Sequence, residues 1–212
     1  MTELPTKVKR FTRRLQDEKI TTDATNFYRA KRTNLQRSNL EKYLAFMHTQ
    51  KTDTMLVGEA PGYNGCRLTG IPFTSEFIVR EGVCEGKMFG LHNGYRASSK
   101  RVKKEQSATA MWSVLEELDT FPLLWNAFPF HPYKKGELCS NRKPNAKELE
   151  IGKGYLLELI ELFEIRDVIA VGNVADHILD KMKIGHLKVR HPSYGGKADF
   201  TEQLRYNLKK EG

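Results

Sequence analysis

Residues 54–76 read TMLVGEAPGYNGCRLTGIPFTSE. The stretch opens on TMLVG, a short apolar run, and passes at once into a loop punctuated by Gly58, Pro61, Gly62, Gly65 and Gly70. A short, mainly apolar run that ends in glycine fits a buried strand better than a helix, which needs ten or more residues. Three further runs have the same character, at 122–127, 167–172 and 186–190. Between and around them the apolar residues recur at spacings of three and four, predicting helices over 35–47, 107–118, 146–163, 174–182 and 199–208. From the first strand the order is β–α–β–α–β–α–β. Strands that are apolar on both faces and alternate with helices belong to parallel sheets covered on both sides. The expected fold is therefore α/β, a three-layer α/β/α sandwich with a central four-stranded parallel sheet. In such folds ligands bind outside the carboxyl ends of the strands, so the residues just after each strand are where chemistry is sought.

The chain of 212 residues is 39% hydrophobic, enough for one well-buried core and one domain. Its formal charge is +9. An excess of Lys and Arg gains free energy by releasing counterions from phosphates, which makes nucleic acid the leading partner; solubility alone also explains many basic proteins. Residues 1–37 carry Lys7, Lys9, Arg10, Arg13, Arg14, Lys19, Arg29, Lys31, Arg32 and Arg37 against Glu3, Asp17, Glu18 and Asp23, ten minus four or +6. This segment reads as a basic, partly helical N-terminal arm, either laid along DNA or solvated, ahead of a catalytic domain over 38–212. A second basic run, 96–104, reads as a surface loop. No apolar stretch approaches the roughly 20 residues of a membrane helix, and the N-terminus has no apolar segment for secretion. No membrane partner is expected, and the protein is placed inside the cell, in cytoplasm, nucleoid or nucleus. Cys66, Cys84 and Cys139 are odd in number and form no CxxC pair, so neither a disulfide framework nor a cysteine-held metal or iron–sulfur site is supported. No cofactor and no metal are expected.

The loop after the first strand brings backbone close to a ligand but lacks the Lys-Ser/Thr pair of a phosphate loop. The second strand ends at Asn126, whose amide offers one donor and one acceptor and so complements the O4 and N3–H edge of a pyrimidine. The fourth leads into Arg190, His191, Pro192, Ser193, Tyr194 and Gly195, a histidine on a rigid turn. Taken singly, an Asn after a strand or a His-Pro pair reads more simply as a turn residue. Together three strand ends aim a Gly-rich loop, an amide and an imidazole at one crevice.

These residues, in this order, resemble the uracil-DNA glycosylase superfamily. Its first motif has the form G-x-x-P-G/Y, followed by T-G-x-P/M-F, and its last is H-P-S/A; here they read GEAPG at 58–62, TGIPF at 69–73 and HPS at 191–193. NAFPFHP at 126–132 and NRKPNAKELE at 141–150 are similar to the Asn-ending strand and helix entry of the thermophile-type branch, and VGNVADHIL at 171–179 to its L-G-N-x-A helix start. The nearest branches are the thermophile-type and mismatch-type ones, without the iron–sulfur cysteines of the former. The resemblance implies a monomeric, metal-free, monofunctional DNA glycosylase of base excision repair. Such an enzyme flips uracil or a related deaminated base out of DNA and hydrolyses its N-glycosidic bond. Phe73 would stack on the base, Asn126 would read its edge, and His191 would hydrogen-bond the pyrimidine O2 as negative charge develops. Gly58, Ala60, Pro61, Gly62, Tyr63 and Ser193 would line the base pocket. Tyr194 and Arg190 would meet the DNA, Tyr194 in the loop that fills the gap left by the flipped base.

The departures concern mechanism and range. Where some branches place Asp or Asn to orient the attacking water, this chain has Ala60. Glu59 is the nearest carboxylate and Glu76 a weaker candidate; a further acidic position of related branches falls near Gly65 or Arg67, where no carboxylate stands. At Gly62 the strictly uracil-specific branch uses a Tyr to block thymine's methyl, so a wider range, including hypoxanthine or 5-substituted uracil, stays open unless Tyr63 or Asn64 restores the gate. The alternative of another class is a non-catalytic DNA-binding or regulatory protein of the same fold.

Overall fold

The computed structural model describes residues 3–29, 34–98 and 104–209. The chain opens with α1 (Glu3–Asp17) and a two-residue strand β1 (Ala24–Thr25), then α2 (Leu35–Gln50) leads into β2 (Thr54–Gly58). Two short helices, α3 (Cys66–Thr69) and α4 (Glu76–Glu81), and α5 (Gln106–Glu117) precede β3 (Leu123–Asn126) and the short β4 (His131–Pro132). The rest alternates: α6 (Ala146–Leu162), β5 (Asp167–Val171), α7 (Gly172–Met182), β6 (Leu187–Val189) and α8 (Lys197–Lys209). Of the basic run at 96–104, residues 99–103 lie outside the described residues, as do Lys31 and Arg32 of the N-terminal segment.

The main sheet has the order β3-β2-β5-β6 with every pairing parallel, so the expected three-layer α/β sandwich is the observed one. From β2 the chain moves one way to β3 and then back across to β5 and β6. Right-handed crossovers place the helices of the first move on one face and α6 and α7 on the other. The loops after β2 and β5 therefore part to opposite faces and leave a crevice between neighbouring strands, the switch point where such folds bind ligands. β2 is buried along its whole length, and Tyr43 from α2 accepts a hydrogen bond from the Leu124 N–H at 2.7 Å. A second, two-stranded sheet pairs β1 with β4 antiparallel, Thr25 opposite His131.

Helix α1 belongs to the same core. Its charged residues Lys7, Lys9, Arg10 and Arg13 face solvent while Val8, Phe11 and Leu15 are buried. Phe11 meets the rings of Trp125 and Tyr155 edge-on, with centroids 5.6 and 5.9 Å apart. Burial of each such apolar side chain contributes about 1.5–3 kcal/mol.

Candidate active site

Parallel pairing of β2 with β3 sets Gly58 opposite Asn126, and the ladder continues past the strands through bonds from Ala127 N–H to Gly58 O at 2.8 Å and Phe128 N–H to Glu59 O at 3.1 Å. A Cβ on Gly58 would lie 2.5 Å from Phe73 Cζ and 2.8 Å from Asn126 Oδ1, so the bare backbone here is what lets a ring and an amide flank one point. Asn126 is 4% exposed, and its Nδ2 donates to Cys66 Sγ at 4.0 Å. Burial pushes the Cys66 thiol well above its usual range, so it stays neutral beside the amide. Phe73 holds a left-handed backbone, φ 52°, a conformation that costs a bulky residue about 1–3 kcal/mol. The indole N–H of Trp112 donates to Phe73 O at 3.1 Å and to Thr74 Oγ1 at 3.2 Å, which holds that turn in place.

The opposite wall comes from the loop after β6. The backbone N–H of Ser193 donates to His191 Nδ1 at 3.1 Å, so that nitrogen accepts and the neutral ring carries its proton on Nε2. Burial lowers the His191 pKa, against a smaller upward pull from Glu105, and the neutral donor form is the stable one. Ser193 Oγ and Ser107 Oγ lie 2.7 Å apart, tying this loop to the first turn of α5. Gly196 lets the chain turn back on itself, because a Cβ there would sit 2.2 Å from His191 O. At the loop's tip Tyr194 is fully exposed, with φ 54°.

These walls enclose a cavity of about 530 Å³, ample for a nucleobase. Of the residues singled out from sequence, Gly58, Glu59, Ala60, Pro61, Gly62, Tyr63, Phe73, Asn126, His191 and Tyr194 line it together. Ser193 and Arg190 line an adjoining depression. Arg190 is paired with Asp199 at 3.3 Å. Glu76 is not in the cavity: its buried carboxylate accepts from Ser98 N–H and Oγ, both at 2.6 Å. Glu59 is half-buried; burial raises its pKa, and Lys143 opposes the rise.

Three residues that the sequence reading passed over complete the site. Glu105, the N-cap of α5, reaches the cavity from the end of the basic run. Asn141 lines it too, and its Oδ1 accepts from Tyr63 N–H at 3.1 Å. His131 on β4 bonds to Pro61 O at 2.8 Å and so fixes the Pro-Gly turn. Most of NRKPNAKELE is structural: Asn145 and Glu148 form a capping box, and Arg142 donates to both oxygens of Glu148 at 2.7 and 2.6 Å. Burial alone would raise the Glu148 carboxyl, yet the bonds from Arg142, Thr22 and Asn145 hold it below its usual range.

A family profile of the uracil DNA glycosylase superfamily matches residues 46–209. Among solved structures, the chain is similar to the wild-type SMUG2 of Pedobacter heparinus, with a TM-score of 0.68 and 16% identity over 99% of this chain and 98% of that one. At that identity the likeness is one of fold. No curated protein sequence matches the chain.

Proposed function

The chain belongs to the uracil DNA glycosylase superfamily, and we propose that it releases uracil, or a related deaminated base, from DNA by hydrolysis of the N-glycosidic bond as the first step of base excision repair. The observation that carries this reading is the meeting of Asn126, Phe73 and His191 on one cavity at the carboxyl ends of the strands. A base drawn into it stacks on Phe73 and presents its edge to the Asn126 amide. As the glycosidic bond lengthens, charge moves onto the base, and the Nε2–H of His191 is the donor that meets it. Glu59 and Glu105 both line the cavity and are the carboxyl-bearing residues open to the role of base for the attacking water. Tyr194 and Arg190 stand at the rim, where DNA flanking the flipped nucleotide would pass. Among the described residues no lysine lines the cavity, which favours simple hydrolysis over an amine-linked strand-cleaving reaction.

A second reading, a wider base range, is favoured by the space beside Gly62. Apart from its chain neighbours, a Cβ there would meet only the Asn141 amide, at 3.9 and 4.0 Å, so Gly62 itself puts no bulk against a 5-substituent or a purine.

The test is single-turnover release from oligonucleotides carrying uracil, 5-hydroxymethyluracil, thymine or hypoxanthine, with alkali to cut the abasic product. Uracil release is expected. His191→Ala should slow it by about 10²–10³ and leave affinity for abasic-site DNA within a few-fold, since the lost bond forms mainly in the transition state. Base release from none of these substrates would favour a regulatory DNA-binding role.

A further inference from the structure

The GEAPG segment has Ala60 where a water-orienting side chain stands in some branches of the superfamily. The cavity wall supplies a carboxylate from a distant part of the chain. Glu105 Oε1 accepts the Ser107 N–H at 3.1 Å and its Oε2 the Ala108 N–H at 2.9 Å. These bonds fix the carboxylate rigidly, and each oxygen keeps a further lone pair. Gly65 packs directly beside it, where a Cβ would come 3.5 Å from Oε2, so the bare backbone there makes room for this carboxylate. Glu105 also lines a smaller depression with Ser193 and Tyr194, so it stands toward the mouth, whereas Asn126 and Phe73 mark the inner end where β2 and β3 stop. The Ser107–Ser193 contact holds its helix against the histidine loop. A base at the inner end and a DNA backbone at the mouth would set the sugar between them, in the cavity that His191 and Glu105 both line.

Resting on the glycosylase reading, we propose that Glu105 is a catalytic residue whose carboxylate holds the attacking water against the sugar and takes its proton. The bond from C1′ to the base nitrogen breaks with its electron pair on the base, whose anion meets His191 Nε2–H. The water oxygen forms the new bond to C1′, and its proton passes to Glu105 and then to solvent. The base anion regains a proton from solvent, so one water is consumed and nothing else. The same carboxylate faces the positive charge on the sugar ring, which a fixed anion stabilises.

Glu105 is also a helix cap, and the experiment must separate the two roles. Serine is a preferred N-cap, so Glu105→Ser removes the carboxylate while keeping a capping oxygen, and Glu105→Gln keeps the shape. Wild type, both variants and Glu59→Gln are compared in single-turnover release from uracil DNA, together with melting temperature and affinity for abasic-site DNA. Both Glu105 variants are expected to lose about 10²-fold or more in rate, with melting temperature and product affinity near wild type, and added formate is expected to return part of the rate to Glu105→Ser. Rates within a few-fold of wild type overturn the assignment, as does a loss matched by equal losses in stability and product affinity. A larger loss in Glu59→Gln than in Glu105→Ser gives the role to Glu59. If wild type releases no uracil, 5-substituted uracil or hypoxanthine, the glycosylase reading falls and takes the assignment with it; an active wild type with active Glu105 variants removes the assignment alone.

Discussion

An alanine at position 58 has no room, because its Cβ would press on Phe73 Cζ at 2.5 Å and on Asn126 Oδ1 at 2.8 Å. Neither neighbour yields easily: Trp112 holds the Phe73 turn, and Asn126 is buried against Cys66. Gly58→Ala is therefore expected to move the stacking ring or the reading amide by a fraction of an ångström and to lower single-turnover base release by about 10²-fold, since misplacement of about 1 Å costs that much in an oriented site. An unchanged rate would show that the ring and amide do not act on the base together. The residues at this point were legible in the sequence because Gly58, Asn126 and His191 each stand at or just past the end of a strand, and Phe73 lies in the first of those loops. Glu105, Asn141 and His131 were not. Glu105 and Asn141 reach the cavity, and His131 the Pro61 turn beneath it, from segments whose path depends on contacts made far along the chain, such as the pairing of Thr25 with His131, and periodicity carries no trace of such contacts. Glu76 misled for the same reason: it is close in sequence to Phe73, yet the bonds from Ser98 hold its carboxylate elsewhere.

Helix α6 carries two glycines with opposite consequences. Gly152 faces the end of β3, where an added Cβ would lie 2.0 Å from Ala127 O; Gly154, two residues on, is exposed with nothing within 4 Å. Glycine inside a helix costs roughly 0.5–1 kcal/mol against alanine, so propensity alone recommends replacing both. The packing reverses the sign at one of them. Gly154→Ala should stabilise the protein by about 0.5–1 kcal/mol, and Gly152→Ala should destabilise it by about 2–3 kcal/mol through overpacking against the strand. Urea unfolding of the two variants checks this, and a stabilised Gly152→Ala would mean that α6 does not sit so close to the sheet. From α2 onward the long elements were legible to within a few residues because a buried strand and a helix buried on one face leave distinct spacings; β6, expected to be buried, is an edge strand with Leu187 and Lys188 exposed, and α1 was read only as a partly helical arm. The four-residue α3 and six-residue α4 are too short to show a period, and two-residue strands such as β1 and β4 show none.

Across the whole molecule the positive charge is arranged differently from its distribution along the chain. The N-terminal residues hold much of the excess, but α1 is packed into the core against α2, and its last turn and the segment after it meet α6: Arg14 pairs with Glu158, Glu18 with Tyr155 and Thr22 with Glu148. Among the described residues, none of α1 lines the cavity or the depressions next to it. Truncating the segment would remove Phe11 and Leu15 from the core as well as the charge, so neutralisation is the cleaner experiment. Among the described residues, the basic groups near the cavity besides the paired Arg190 include Lys104, seated over the Phe77 ring at 4.4 Å and lining the depression next to Glu105, and Lys143, which acts on Glu59. Each phosphate contact on duplex DNA contributes about 0.9 to the slope of log K against log salt. Lys104→Gln and Lys143→Gln should each lower that slope by about one, whereas the triple change of Lys9, Arg10 and Arg13 to Gln should leave it nearly unchanged although it removes three charges. Titrations of a uracil-containing duplex over a range of salt decide between these patterns. A slope that falls by two or three in the triple variant and holds in the two single ones would put the DNA along α1 and away from the cavity, and base release from a site that far from the bound strand would then have no geometric basis.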